Sequence, residues 1–351
     1  MTHDTSADVE IILGNSNKKF SGVTSTMLQV LSVQSKSVNI AVLGKHHLPD
    51  SANAVSFRQA VSICRKPLKS GLPRVFHARR NDEMIQGLLL RLFCGSKVRL
   101  VFTSTAQRPK TWITRWLMSK MDGLLTTCSA AHQYMTLPAD RVIPHGIDVD
   151  QMRSAANVHS YELPGLLNVG IFGRVRHQKG VDLFVEALIA LLPSYPDWGG
   201  VIVGEVTPSQ QSFVDDLTRK ISDAGLTDRV RILGKVDFQD IPHLFRSVDI
   251  VTSLSRNEGF GLTVLEAMSV SKPVIATRAG AWPDIIDSGK DGLLIDVEDL
   301  DQLKASLEQL MRSAEQRQSM GAYAASKIDR QYTIEREASE LLSYYQSVQQ
   351  R

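Results

Sequence analysis

Short runs rich in Val, Ile and Leu recur along the chain, and between them apolar residues return at helical spacing. Continuous apolar runs suit strands buried on both faces, and helix-period intervals suit crossovers, so the pattern predicts α/β architecture with parallel sheets. In the first half the predicted strands are Val9–Gly14, Val38–Leu43, Arg74–Ala78, Val98–Thr103, Gly123–Thr127 and Arg141–Ile143. Helices fill the intervals, among them Asn81–Phe93. Polar residues with neither period occupy Asp148–Pro164, which marks a domain junction. A second series follows, with strands at Leu166–Phe172, Gly200–Val203, Val230–Leu233, Ile250–Ser253, Pro273–Ala276 and Leu293–Ile295. Its helices are predicted at Gly180–Leu191, Gln210–Ala224, Leu262–Val270 and Leu300–Arg312. A last amphipathic helix, Ile334–Val348, comes after the second sheet is complete and is free to cross back to the first domain. The expected division is residues 1–148, residues 149–330 and a terminal helical segment 331–351. No repeat of solenoid period and no low-complexity tract interrupts it.

Length agrees with two domains: 351 residues suit two doubly wound units of roughly 150 to 180 residues with a cleft between them. Hydrophobic residues at 43% and charged residues at 22% are ordinary for a globular protein and argue against disorder. No stretch reaches the roughly 18 to 20 apolar residues of a membrane span. The N-terminal Met1–Glu10 is polar and lacks a signal-peptide core, so the expected location is the cytoplasm. Cys64, Cys94 and Cys128 are widely spaced, with no zinc-ligand partner nearby, and read as reduced thiols.

Charge changes the picture more than composition does. The net charge is only +3, yet the segment from Arg58 to Lys120 holds fourteen Lys or Arg against two acids, Asp82 and Glu83. A basic first half suggests an anionic partner, a phosphorylated glycolipid, a membrane surface or a nucleic acid, with a merely solvated basic face as the alternative. No recognised nucleic-acid module or stacking platform appears, which disfavours the last.

The densest candidate chemistry is in the second half. Gly173-Arg-Val-Arg-His-Gln-Lys179-Gly180 follows a strand and opens a helix, where backbone N–H groups plus Arg174 and Lys179 would hold phosphate. Glu258-Gly-Phe-Gly-Leu-Thr-Val-Leu-Glu266 places one acid in a glycine-flanked loop and a second inside the next helix. Gly259 and Gly261 permit close backbone approach, Glu258 would grip sugar hydroxyls, and Glu266 would accept from a ribose. The competing structural reading makes Glu258 a solvated loop acid and Glu266 a salt-bridging helix residue. In the first half, His77 ends a predicted strand beside Arg79 and Arg80, at the sheet edge where α/β proteins bind ligands. Arg108 and Lys110 form another basic loop there. Trp112 and Trp116, interleaved with Arg115 and Lys120, suit either an interfacial membrane helix or inward packing.

Together with Ile143-Pro-His-Gly-Ile-Asp148 and Glu266-Ala-Met followed by Lys272-Pro-Val, these motifs resemble glycosyltransferase family 4. The strong resemblance spans roughly Ile143 to Asp296. It implies the GT-B fold, two Rossmann-like doubly wound domains facing across a cleft, the N-terminal one binding acceptor and the C-terminal one binding the nucleotide sugar. It also implies a retaining transferase in which Arg174 and Lys179 hold the donor diphosphate, Glu266 the ribose and Glu258 the transferred sugar. Gly173 and the backbone of Gly259, Phe260, Gly261 and Leu262 complete that cradle. Val236, in Gly234-Lys-Val-Asp237, would meet the base. Gly22, in Lys18-Lys-Phe-Ser-Gly22-Val-Thr-Ser, stands for a loop that usually carries two adjacent glycines, and His77 would lie near the sugar. Arg79, Arg80, Arg108 and Lys110 are the candidate acceptor residues.

Asp148-Val-Asp150 has the spacing of a metal-dependent transferase but sits directly after Pro-His-Gly-Ile, and cationic side chains already serve the diphosphate; no metal or other cofactor is expected. Similarity to bacterial lipopolysaccharide-core mannosyltransferases suggests a hexose, mannose from GDP-mannose, moved to a lipopolysaccharide core or similar anionic glycolipid, with peripheral contact at the inner face of the membrane. A UDP-sugar with a soluble acceptor is the alternative; an epimerase of like layout, or a non-enzymatic nucleotide sensor that binds nucleic acid, is a lesser one.

Overall fold

The computed structural model describes residues 9–19, 21–154, 156, 159 and 161–351. Phe20 in the loop before Gly22, most of the polar N-terminal stretch and part of the Asp148–Pro164 segment lie outside the described residues. The chain forms two compact units, one running to Gly146 and resuming at Ile334, the other covering Ile147–Thr333.

The first unit holds a parallel sheet of seven strands: β1 (Ile11–Gly14), β2 (Ile40–Leu43), β3 (Ala54–Val55), β4 (Arg74–Ala78), β5 (Val98–Ser104), β6 (Gly123–Thr126) and β7 (Arg141–Val142). Their spatial order is β3-β2-β1-β4-β5-β6-β7. Because side chains alternate along a strand, β1 sends Ile12 to one face and Ile11 and Leu13 to the other. Met84 and Leu90 of the Asn81–Cys94 helix join the first face. The opposite face is covered by the Gly22–Gln34 helix and by the last helix, Ile334–Gln349, which buries Leu341, Tyr344, Tyr345 and Val348. Each such side chain contributes roughly 1.5 to 3 kcal/mol on burial, enough to hold the end of the chain on this unit. Gln34 Nε2 also donates to the Ala338 carbonyl at 3.2 Å.

The second unit has six parallel strands: β8 (Leu167–Phe172), β9 (Trp198–Val203), β10 (Val230–Gly234), β11 (Ile250–Ser253), β12 (Val274–Thr277) and β13 (Leu293–Ile295). Their order is β10-β9-β8-β11-β12-β13. Two features were not legible in the sequence: the two-residue edge strand β3, and the long Ala314–Gln331 helix, whose buried positions are mostly small. In both sheets the order reverses beside the first strand, between β1 and β4 and between β8 and β11. Such switch points open a crevice at the carboxyl ends of the strands, the usual place for a ligand in this architecture. Cys64, Cys94 and Cys128 are buried thiols. Among the described residues, no helix is long and apolar enough to cross a membrane.

Candidate active site

In the second unit, β8 runs into Gly173 and a loop that closes with a single tight turn, His177–Lys179, before the Val181–Leu191 helix. Gly180 caps that helix at φ 70°, and a Cβ there would stand 2.2 Å from the Leu254 carbonyl oxygen, so only glycine lets this loop close against the neighbouring strand end. β11 leads to the second loop, which Gly261 ends at φ 82° as the N-cap of the Leu262–Ser269 helix. Neither helix has a side-chain cap, so first-turn amides remain available to an anion.

These loops meet at the switch point. Lys179 Nζ is ion-paired with Glu258 Oε2, and both side chains are only about a fifth exposed, at 20% and 17%. Glu258 also accepts from Ser255 Oγ and from the Gly259 amide, each at 3.1 Å. Arg174 is exposed on the first loop, with Nε 3.3 Å from Glu205. Glu266 lies in the second turn of the Leu262–Ser269 helix, half-buried, and its carboxyl has no hydrogen-bond or ion-pair partner among the described residues. Burial pushes its pKa up to about 7. The structure thus joins Lys179 directly to Glu258 and puts Arg174 and Glu266 on the same two connections. Phe260 is buried. Val236 is half-buried beyond the edge strand β10, two strands from β8.

Arg256 is a residue that sequence reasoning missed. Its guanidinium makes two bonds of 2.9 Å to Asp182 and one of 2.8 Å to Glu298, while its amide donates to the Gln178 carbonyl at 2.8 Å. Gln178 Nε2 returns a bond to the Asn257 carbonyl at 2.8 Å. The loop bearing Lys179 is thereby stitched to the loop bearing Glu258. Burial would raise the Asp182 pKa, but the hydrogen bonds and charge of Arg256 hold it below the ordinary value. Only the residues bordering a motif, not the motif itself, carried this signal.

In the first unit the buried carboxylate of Glu83 organises the β1–β4 switch point. It accepts from the Arg79 amide at 2.7 Å, from Arg80 Nη1 at 2.8 Å and from Ser16. Arg80 continues to Ser21 Oγ and Thr24 Oγ1 at 3.1 and 3.2 Å, fixing the start of the helix that Gly22 opens. A Cβ at Gly22 would meet nothing within 4 Å, so this position does not need glycine for its own packing.

His77 does not present a nitrogen to a ligand. Its ring is 1% exposed, with Nδ1 2.6 Å from Tyr345 Oη and Nε2 2.7 Å from Thr103 Oγ1. Burial, and secondarily the charge of Arg79, hold it well below the ordinary histidine pKa, as the neutral ring. A strand-end position is not an exposed one when another helix roofs it, so His77 can bear on a sugar nearby only through the groups its ring nitrogens already hold. Nearby, Glu337 of the last helix holds the Pro-His-Gly motif, accepting from the Gly146 amide at 2.8 Å and pairing with His145 Nδ1 at 2.7 Å.

Arg79, Arg80, Arg108 and Lys110 do come together, lining a cavity of about 470 Å³. Arg79 Nη1 and Ser104 Oγ, on two of the lining residues, are buried with no hydrogen-bond partner among the described residues. Lys110 Nζ donates to the Ala106 carbonyl at 2.8 Å, and burial followed by the charge of Arg108 lowers its pKa. A pocket lined by four cations can take an anion.

Comparison with known proteins bears on the family and the fold. The family described as Glycosyl transferases group 1 matches residues 166–327. The lipopolysaccharide core biosynthesis mannosyltransferase LpsB of Rhizobium meliloti (strain 1021) is 37% identical over 97% of this chain and 98% of that protein. Its counterpart LpcC of Rhizobium leguminosarum bv. viciae is 38% identical over 97% of each. Among solved structures, Anabaena HepE in complex with UDP superposes with a TM-score of 0.80 at 16% identity, over 97% of this chain and 100% of that one. That likeness shows the GT-B fold.

Proposed function

The chain belongs to the group 1 glycosyl transferases and is a glycosyltransferase, and from that premise we propose that it moves mannose from GDP-mannose to a lipopolysaccharide core or similar anionic glycolipid, with retention of configuration. The observation that carries the reading is the Lys179–Glu258 pair at the switch point of the second sheet, with Arg174 on the loop that bears Lys179 and Glu266 on the helix that follows Glu258. When a nucleotide sugar enters, Lys179 turns from Glu258 to the diphosphate, and Glu258 is released to take sugar hydroxyls. Glu266 accepts from the ribose, and Val236 borders the base. As the bond from C1 to the leaving oxygen breaks, charge grows on the diphosphate and on the sugar ring. Arg174, Lys179 and the first-turn amides of the Leu262–Ser269 helix meet the first charge from fixed positions, which is where most catalytic stabilisation arises. The acceptor oxygen bonds to C1 and its proton passes to the departing phosphate. These cations serve where other transferases use a metal ion, so none is required.

In the first unit, the cavity of Arg79, Arg80, Arg108 and Lys110 reads the negative charge of the acceptor. His77 acts there only through Thr103 and Tyr345, as a positioning residue. The protein works in the cytoplasm, in contact with the inner face of the membrane. The test is incubation with a panel of nucleotide sugars and with core-oligosaccharide or soluble acceptors, with products identified by mass and anomeric configuration by NMR. Transfer of mannose from GDP-mannose with retention is expected. Selective use of a UDP-sugar on a soluble acceptor, or an inverted product, overturns the reading.

A further inference from the structure

The Asn81–Cys94 helix buries Met84, Gly87, Leu90 and Cys94 and leaves a second apolar stripe on its other side. Ile85, Leu89, Leu92 and Phe93 are 46%, 41%, 75% and 51% exposed, at the spacing of one continuous helical face. The Trp112–Met118 helix lies alongside, tied to it by Asn81 Nδ2 donating to Thr114 Oγ1 at 2.8 Å. It too buries one side, Thr114, Leu117 and Met118, and exposes Trp112, Ile113 and Trp116 at 71%, 45% and 53%. A face of seven large apolar side chains on two neighbouring helices of one unit exceeds the scattered exposure of an ordinary surface and marks an interface.

We propose that this face docks on an anionic lipid bilayer. The charges around it choose the occupant. Arg65, Lys97, Arg115 and Lys120 are exposed at its borders, with Lys97 Nζ fixed on the Arg65 carbonyl at 3.0 Å and Lys120 Nζ 5.9 Å from the Trp116 ring. On the two helices the acids are Asp82 and the buried Glu83. Apolar and indole side chains entering the headgroup layer, rimmed by cations that stay with lipid phosphates, satisfy both features at once. A second copy of the same face would set cation against cation.

This extends the glycolipid-acceptor reading by naming the surface through which the enzyme would reach such an acceptor, and the experiment keeps the two apart. The full chain is sedimented with phosphatidylglycerol-containing vesicles and with pure phosphatidylcholine vesicles, beside two double variants, Trp112→Ser/Trp116→Ser and Leu92→Ser/Phe93→Ser. Expected are binding to the anionic vesicles that weakens with salt, little on the neutral ones, and about tenfold or greater loss in each variant. Tryptophan emission should shift blue on binding, because Trp198 and Trp282 are already buried and only Trp112 and Trp116 change surroundings. Transfer to a soluble acceptor fragment should be unchanged in both variants. Absence of vesicle binding, binding equal on both vesicle types, retention of full binding by the variants, or a concentration-dependent dimer that the variants abolish would each overturn the proposal. Vesicle binding with no sugar transfer would leave it standing and remove the glycolipid reading instead.

Discussion

Lys179 in the second unit is ion-paired with Glu258, whereas Arg79 in the first has a buried Nη1 that no described residue satisfies. In the second unit Lys179 is paired with Glu258, Arg174 with Glu205 and Arg256 with Asp182 and Glu298, while the Glu266 carboxyl and the buried Arg176 Nε have no partner among the described residues. The first unit pairs Arg80 with Glu83 but leaves Arg79 and Ser104 with unmet polar atoms in a cavity that also holds Arg108 and Lys110. An unmet buried donor costs about 1 to 3 kcal/mol. A ligand that reaches Lys179 must instead exchange the Lys179–Glu258 pair.

The sharpest way to break this contrast is to remove the exchanging pair. Glu258→Gln and Lys179→Ala should each lower kcat/KM by about 100-fold or more, with the unfolding midpoint little changed. Wild-type turnover in both would leave the second unit without its assigned chemistry. Arg256→Gln should cost about tenfold to 100-fold, chiefly in kcat, by unfastening the two loops, and Arg256→Lys should recover little because a point charge cannot replace the forked contact with Asp182. If Arg256→Lys is as active as the parent, the stitch does not position the site. Arg79→Ala and Arg108→Ala should raise KM for the acceptor by about tenfold while leaving nucleotide affinity alone, which steady-state kinetics with each substrate varied can separate.

The smallest effect is on pH. Burial raises the Glu266 pKa to about 7, so the folded protein holds this proton where the unfolded chain has lost it, and the group's contribution to stability falls as pH rises from its ordinary value through 7. Ribose hydroxyls favour the ionised carboxylate, so nucleotide affinity should increase across the same window. Calorimetric titration between pH 6 and 8, within about one unit of that midpoint, should show the increase in the parent and lose it in Glu266→Gln. An identical pH profile in the two proteins would remove Glu266 from the nucleotide site.

The contrast also explains what could be read from the residues alone. Gly173 to Gly180 and Glu258 to Glu266 sit in two short segments because adjacent strands of a doubly wound sheet deliver their loops to one place, so the second-unit site is compressed into motifs. The first-unit cavity draws on β4, β5 and the loop after β5; its cations were visible as a basic region, but Glu83 and Ser104 carry no pattern. His77 was placed on the right strand, but its burial could not be read there, since the roof that buries it comes from Tyr345, far away in the chain. Trp112 and Trp116 at one-turn spacing suited either core or surface, and only the packed Leu117 and Met118 show which side faces in.

Hydrogen exchange measured by mass spectrometry on the full chain, with and without GDP, tests the central claim most directly. Lys179 and Glu258 exchanging partners around a diphosphate should slow amide exchange in residues 173–180 and 254–264 together. Protection confined to other segments, with both of these loops unchanged at saturating nucleotide, would contradict the account.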